Sequence, residues 1–225
     1  MAGNGYRAVG RAAVAWMWMV AVVAALGVSA QSDAALVAAW NMNGISPGST
    51  PILTASSGKG LIDLGGPGGL AGGASTLAGT TLGALEGDAA GDALSASGTA
   101  WNGTAMRIEV PTMGLQGLVL SFATRRSSTG FANCRIDCWD GLMWLPVQQF
   151  NPSSVAWEIV AVDLSGFAAV ENGQASLRIV IDGATGSTGS VRFDNLIVSG
   201  SAVPAPGALA LMGLAGLAAR RGRRA

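Results

Sequence analysis

The chain is 225 residues long, with 13 basic and 13 acidic side chains, two cysteines and no histidine. Without histidine there is no serine–histidine or cysteine–histidine catalysis and no histidine-held zinc. The formal neutrality hides a division. Arg7 and Arg11 sit near the start and Arg220, Arg221, Arg223 and Arg224 at the end, so residues 31–203 hold seven basic against 13 acidic side chains. An acidic middle gives no electrostatic case for nucleic acid as a partner, because basic patches do that binding.

The first predicted element is a secretory signal over residues 1–30. Arg7 and Arg11 supply its positive region, residues 12–27 are uncharged and apolar, and Val28-Ser29-Ala30 places small residues at the −3 and −1 positions of a cleavage site. Signal peptidase is expected to cut between Ala30 and Gln31. The alternative is an uncleaved N-terminal anchor helix, for which the apolar run falls short of the ~20 residues a span needs.

Residues 31–202 suit one domain with a real core. Residues 36–44 read as a first strand, closed by the turn chemistry of Asn43-Gly44. Residues 45–100 are glycine-rich, and the runs at 65–69 and 72–73 match no phosphate-cradling pattern. Irregular loops are expected there, with short strands near 61–64 and 76–82. From Thr104 the pattern sharpens. Residues 105–110 alternate apolar and charged side chains, as a half-buried strand does, and 117–124 form a short buried-strand candidate. Residues 132–139 set Cys134, Ile136 and Cys138 against Arg135, Asp137 and Trp139. Asp140-Gly141 then supplies a hairpin turn, and 142–150 return, with Pro146 marking an edge strand or a bulge. Residues 157–164, 175–182 and 191–199 complete the set. Short strands with turn signals between them, and no amphipathic helix, predict an all-β antiparallel β-sandwich.

Residues 203–225 follow a different grammar. Val203-Pro204-Ala205-Pro206 breaks regular structure, residues 207–219 are wholly apolar, and the four arginines follow at once. As a helix the apolar run is about 20 Å long, against about 30 Å of hydrocarbon core. It is a poor lasting span, and its arginines favour the cytoplasmic side. This order of proline break, short apolar helix and arginine cluster resembles the PEP-CTERM sorting signal, with Ala205 standing where that family usually has glutamate. The resemblance implies membrane association before processing, cutting by an exosortase-type peptidase near the proline motif, and a final place on the cell surface or in the extracellular matrix. The rival is a plain tail anchor that stays in the membrane. The domain itself is similar to jelly-roll domains found upstream of such signals, through AAWNMNG, SFATRRSSTG, the Asp-Gly hairpin, WEIVAVDL and RFDNLIVSG. That likeness implies a jelly-roll-like sandwich. Such folds are common among carbohydrate-binding modules, which makes polysaccharide the candidate ligand, although fold does not fix function.

Several side chains are candidates for chemistry. Cys134 and Cys138 lie about 13 Å apart in an extended strand, beyond the ~7 Å reach of a disulfide. Buried free thiols are expected, a disulfide requiring a bend. Asp137, Asp140, Glu158, Asp163, Asp182 and Asp194 are available to a glycosidase pair, yet each falls at an outward strand position or a turn. No catalytic constellation is identifiable, so a non-catalytic protein is expected. Asn43 and Asp194, with Asn41 and Asn195, bring oxygens of the first and last strands toward a structural calcium, the one cofactor considered. The plainer reading is ladder-end polar residues. Trp139, on the face opposite the cysteines, is the candidate sugar-stacking ring, weighed against ordinary packing. Arg125 and Arg126, beside Ser127-Ser128-Thr129, are candidate contacts for an anionic glycan, or caps of their loop. The expected function is adhesion or polysaccharide binding at the surface, with the producing cell's exopolysaccharide as partner. The alternatives are a glycan-acting hydrolase of the same fold and a purely structural surface protein.

Overall fold

The computed structural model describes residues 34–203. The expected signal with its Ala30–Gln31 junction lies outside the described residues. So does the tail beyond Val203, with Pro204, Ala205, Pro206 and the terminal arginines. Among the described residues the strands are, in chain order, β1 (Ala35–Trp40), β2 (Ile52–Thr54), β3 (Ser57–Gly58), β4 (Leu61–Asp63), β5 (Ala74–Ala78), β6 (Asp92–Ser97), β7 (Thr104–Pro111), β8 (Leu115–Arg126), β9 (Cys134–Trp139), β10 (Trp144–Phe150), β11 (Glu158–Asp163), β12 (Gln174–Ile181) and β13 (Ser190–Ala202). Helical structure among them is confined to three short 3-10 turns, and no helix is long and apolar enough to cross a membrane.

The strands pair antiparallel into two sheets. One runs β11-β8-β13-β1-β3, with β6 also on β13 and β5 on β6; the other runs β10-β9-β12-β7-β4-β2. The period-2 alternation of β7 and β12 explains their place. Met106, Ile108 and Val110 of β7 and Ala175, Leu177, Ile179 and Ile181 of β12 are buried, while the residues between them face outward. The inward side chains of both sheets form one core, including Trp40, Phe122 and Phe193 from the first sheet and Ile108, Ile136 and Leu177 from the second. Phe122 stands edge-on to Phe193 at 5.7 Å and to Phe150 at 5.5 Å between ring centroids. The expected antiparallel sandwich is what forms.

From β7 onward the strands fall within a few residues of expectation. Pro146 lies on β10, an edge strand whose register shifts between Pro146 and Gln148. The first third differs. β1 stops at Trp40, because Met42 takes a positive φ of 55° and turns the chain. The strand expected over 76–82 is β5, displaced to Ala74–Ala78, and β6 was not expected at all. Its four central residues Ala93, Leu94, Ser95 and Ala96 are all buried between β5 and β13. A run buried on both faces shows no alternation, and small residues give it little strand propensity.

Candidate functional site

The outer face of the six-stranded sheet gathers the most chemistry. Alternation puts Arg135, Asp137 and Trp139 of β9 outward, opposite buried Cys134, Ile136 and Cys138. Across the sheet, direct Cα partners set Asp63 beside Arg107, Arg107 beside Arg178, and Arg178 beside Asp137. Asp137 is the anchor of this row. Its side chain is only 1% exposed, yet two guanidiniums hold its carboxylate. Arg135 Nε donates to Oδ1 at 2.6 Å, and Arg178 Nε donates to Oδ2 at 2.7 Å. A buried carboxylate is tolerated when it is paired in this way. The pairing also raises Arg135 above its ordinary pKa, mainly through the Asp137 hydrogen bond.

The aromatic part stands on the same face. Trp139 and Trp144 are direct partners across the β9–β10 hairpin, with ring centroids 5.4 Å apart and planes tilted by 59°. The Arg178 guanidinium carbon lies 4.6 Å from the Trp144 ring centroid, a cation–π contact. Arg178 thus joins the charged row to the aromatic pair. Both tryptophans remain half-buried, and the hairpin tip beyond them exposes Leu142 and Met143. Asp140 fixes that tip by accepting from the Leu142 and Met143 amides at 2.8 and 2.7 Å, and Gly141 takes a φ of 102°. Those two amides hold the Asp140 carboxyl below its ordinary pKa. Trp40, by contrast, is a core tryptophan whose Nε1 donates to the Leu53 carbonyl.

Two recesses open on this face. One, of about 450 Å³, is lined by Asn133, Arg135, Gln149, Asn151 and Asp182 among others. A smaller one, of about 120 Å³, is lined by Arg107, Arg135 and Arg178 with Val180 and the 67–68 backbone. Arg135 and Val180 border both.

Arg125 and Arg126 do not join Trp139. They belong to β8 of the other sheet, where consecutive residues point to opposite faces. Arg125 is the direct partner of Arg192 on that sheet. Arg126 donates to Asn151 Oδ1 and to the Ser127 and Ser128 carbonyls, so it caps its loop.

Asn43 and Asp194 meet the same loop, residues 79–91. One edge of β13 changes partner midway, from β6 along Ser190–Phe193 to β1 along Leu196–Gly200. At the change, Asn195 adopts a φ of 48°. Asp194 Oδ2 accepts from the Thr80 amide at 2.7 Å and Oδ1 from the Asn195 amide at 2.8 Å, while Asn195 Nδ2 donates to the Thr80 and Leu82 carbonyls. Gly79 is required here, since a Cβ would collide with the Ala90 carbonyl and Asp194 Oδ2. Burial raises the Asp194 carboxyl to about 6, against the lowering effect of its two amide donors and with a further push from Asp88 and Asp92. Asn43 Oδ1 accepts from the Asp92 amide and its Nδ2 donates to the Ala89 carbonyl. These oxygens suit calcium by chemistry, and Asn195 Oδ1 is buried without a partner. By geometry they do not: the Asp194 and Asn43 oxygens are already taken, and among the described residues no three His, Cys, Asp or Glu side chains group to hold a metal.

The other candidate carboxylates, Glu158, Asp163 and Asp182, are occupied with the backbone. Glu158 accepts from the Ser153 amide, Asp163 from Ser165 and Asp182 from Gly183. Both cysteines are free and buried, and burial pushes the Cys134 thiol up to about 12 and raises Cys138 as well. They act as small core hydrophobes.

No family model matches the chain, and no curated protein does. The structure is similar to the CBM22-1 xylan-binding domain from Paenibacillus barcinonensis Xyn10C, at 11% identity over 77% of this chain and 99% of that one, with a TM-score of 0.45. It is also similar to TmCBM61 in complex with β-1,4-galactotriose, at 10% identity over 56% and 81% of the two chains, with a TM-score of 0.39. A third likeness is to the K3 cleaved adhesin domain of Lys-gingipain from Porphyromonas gingivalis w83, at 9% identity over 51% and 75%, with a TM-score of 0.36. At such scores these are likenesses only, and the functional reading rests on the face itself.

Proposed function

We propose that this is an exported, non-catalytic polysaccharide-binding or adhesive protein, which presents the outer face of the six-stranded sheet of a jelly-roll-like domain. The observation that carries the reading is the tilted Trp139–Trp144 pair, left half-exposed and fixed in place by Arg178 and the buried Asp137. Rings held in that manner offer apolar area to a sugar at little ordering cost, and the neighbouring arginines and amides supply donors for hydroxyls. The six carboxylates considered for catalysis each hold a backbone amide or an arginine, which supports a binding role over hydrolysis. Delivery follows the two ends of the sequence. Signal peptidase cuts at Ala30–Gln31, the Val203-Pro204-Ala205-Pro206 tail engages an exosortase-type peptidase, and the domain reaches the cell surface or matrix, where exopolysaccharide is the partner. The test is retention of the full-length protein in gels containing the producing cell's exopolysaccharide. Retention weakened about tenfold or more in Trp139→Ala, with the variant still unfolding cooperatively and its Tm lowered by no more than a few degrees, supports the reading. Retention of the variant equal to that of the parent, or release of reducing sugar from the polymer, refutes it.

A further inference from the structure

We infer that this face takes a carboxylate-bearing sugar, a uronate residue of an acidic polysaccharide, with Arg107, Arg135 and Arg178 around the carboxylate and Trp139 beside a neighbouring ring. The inference rests on the polysaccharide reading and specifies its ligand class.

The charge distribution carries it. The domain as a whole is acidic, yet three of its six arginines line one recess of about 120 Å³, and among the described residues no acidic side chain lines it. Asp137 lies beneath, its oxygens turned to Arg135 and Arg178. The other carboxylates of the face are directed elsewhere: Asp63 accepts from the Gly65 amide at 2.7 Å, and Glu109 accepts from Ser176 and Gln174. Arg107 has one hydrogen bond, from Nη2 to the Pro67 carbonyl at 2.9 Å. It also stands directly opposite Arg178 across β7 and β12, and like charges so placed repel each other. An anion shared between them removes that cost. Arg135 and Arg178 each turn one edge of the guanidinium to Asp137, so the edge not held by a carboxylate is that of Arg107, and a planar guanidinium favours a carboxylate over a mere point of negative charge.

Shape extends the site to a polymer. Arg135 borders both recesses, and the larger one carries Asn133, Gln149 and Asn151, amides that pair with hydroxyls, together with Asp182, so the carboxylate is assigned to the smaller recess and a hydroxyl-bearing part of the polymer to the larger. From Arg135 to Trp139 along β9 is about 13 Å, room for more than one sugar unit.

The experiment uses the full-length protein with polygalacturonate and alginate, each as the free acid and as its methyl ester, and with dextran sulfate as a charge control, without added divalent cation. The expected result is retention by at least one free polyuronate that weakens about tenfold on esterification, and about tenfold in Arg107→Gln at unchanged Tm, the worth of one charge-assisted pair. Retention of the free polyuronate should also fall as salt rises. Equal retention of acid and ester, retention of neutral polymers alone, or retention by dextran sulfate as strong as by the polyuronates overturns the uronate assignment, while a Trp139→Ala loss would leave the polysaccharide reading standing. If Trp139→Ala changes no retention at all, the face itself is wrong.

Discussion

Asp137 and Asp194 are both buried aspartates on strands, and the protein treats them in opposite ways. Asp137 sits on the outer face of the six-stranded sheet and is covered by two arginines that themselves keep 40% and 25% of their side chains exposed. Asp194 sits where β13 changes partner and accepts only from backbone amides, and burial, with a push from Asp88 and Asp92, raises it to about 6. The first carboxylate is a base plate that orients side chains toward solvent. The second is a staple that ties the 79–91 loop to the sheet. A carboxylate bonded to solvent-reaching side chains organises a surface, whereas one bonded to backbone organises the fold.

Substitution of the two aspartates separates these roles. Asp137→Ala leaves two guanidiniums without their anion, and a loss of about 3 kcal/mol in chemical denaturation is expected, at the low end for a broken pair because water reaches Arg135. Glycan retention should vanish with it, since Arg178 no longer sits fixed against Trp144. For Asp194 the sign follows from its raised pKa. The folded state holds this proton more tightly than the unfolded state, so the stability it contributes is full below about pH 4 and is lost as pH rises toward 6 and beyond. Relative to Asp194→Asn, the parent should lose about 2 kcal/mol between pH 4 and pH 6.5, with a discount for solvent screening, and retention at fixed pH should be unchanged. A flat difference across that range would mean that Asp194 is ionised without penalty.

Much of this was legible in the sequence, but unevenly. Alternation along 132–139 placed Trp139 opposite the cysteines and kept the thiols apart, because period 2 follows from strand geometry alone. Arg178 was not singled out, since its role comes from lying opposite Asp137, 41 residues away, and register across a sheet is not written in either strand. Arg125 and Arg126 looked like one basic pair; adjacent strand residues diverge, and β8 belongs to the other sheet. β6 was hidden by its small residues, and with it the reason why Asp88 and Asp92 approach Asp194. Asn43 and Asp194 carry the oxygens that suggested calcium, and the structure spends those oxygens on the chain around residues 79–92.

Smaller effects sharpen the same contrast. Trp139→Ala should cost about 1 kcal/mol of stability, as a half-exposed ring, while weakening polysaccharide retention about tenfold. Calcium should do least: on the occupied oxygens of the β13 junction, adding calcium or a chelator is expected to move the Tm by no more than about 1 °C, and a rise of several degrees with calcium would show that Asp194 and Asn195 release the loop to bind it.

The most direct measurement is affinity electrophoresis of the full-length protein against the producing cell's exopolysaccharide, comparing the parent with Trp139→Ala and Asp194→Asn. Retention that survives Asp194→Asn and falls about tenfold in Trp139→Ala is the predicted result. Retention unaffected by Trp139→Ala, or lost equally in both variants, would contradict a binding surface on the six-stranded sheet.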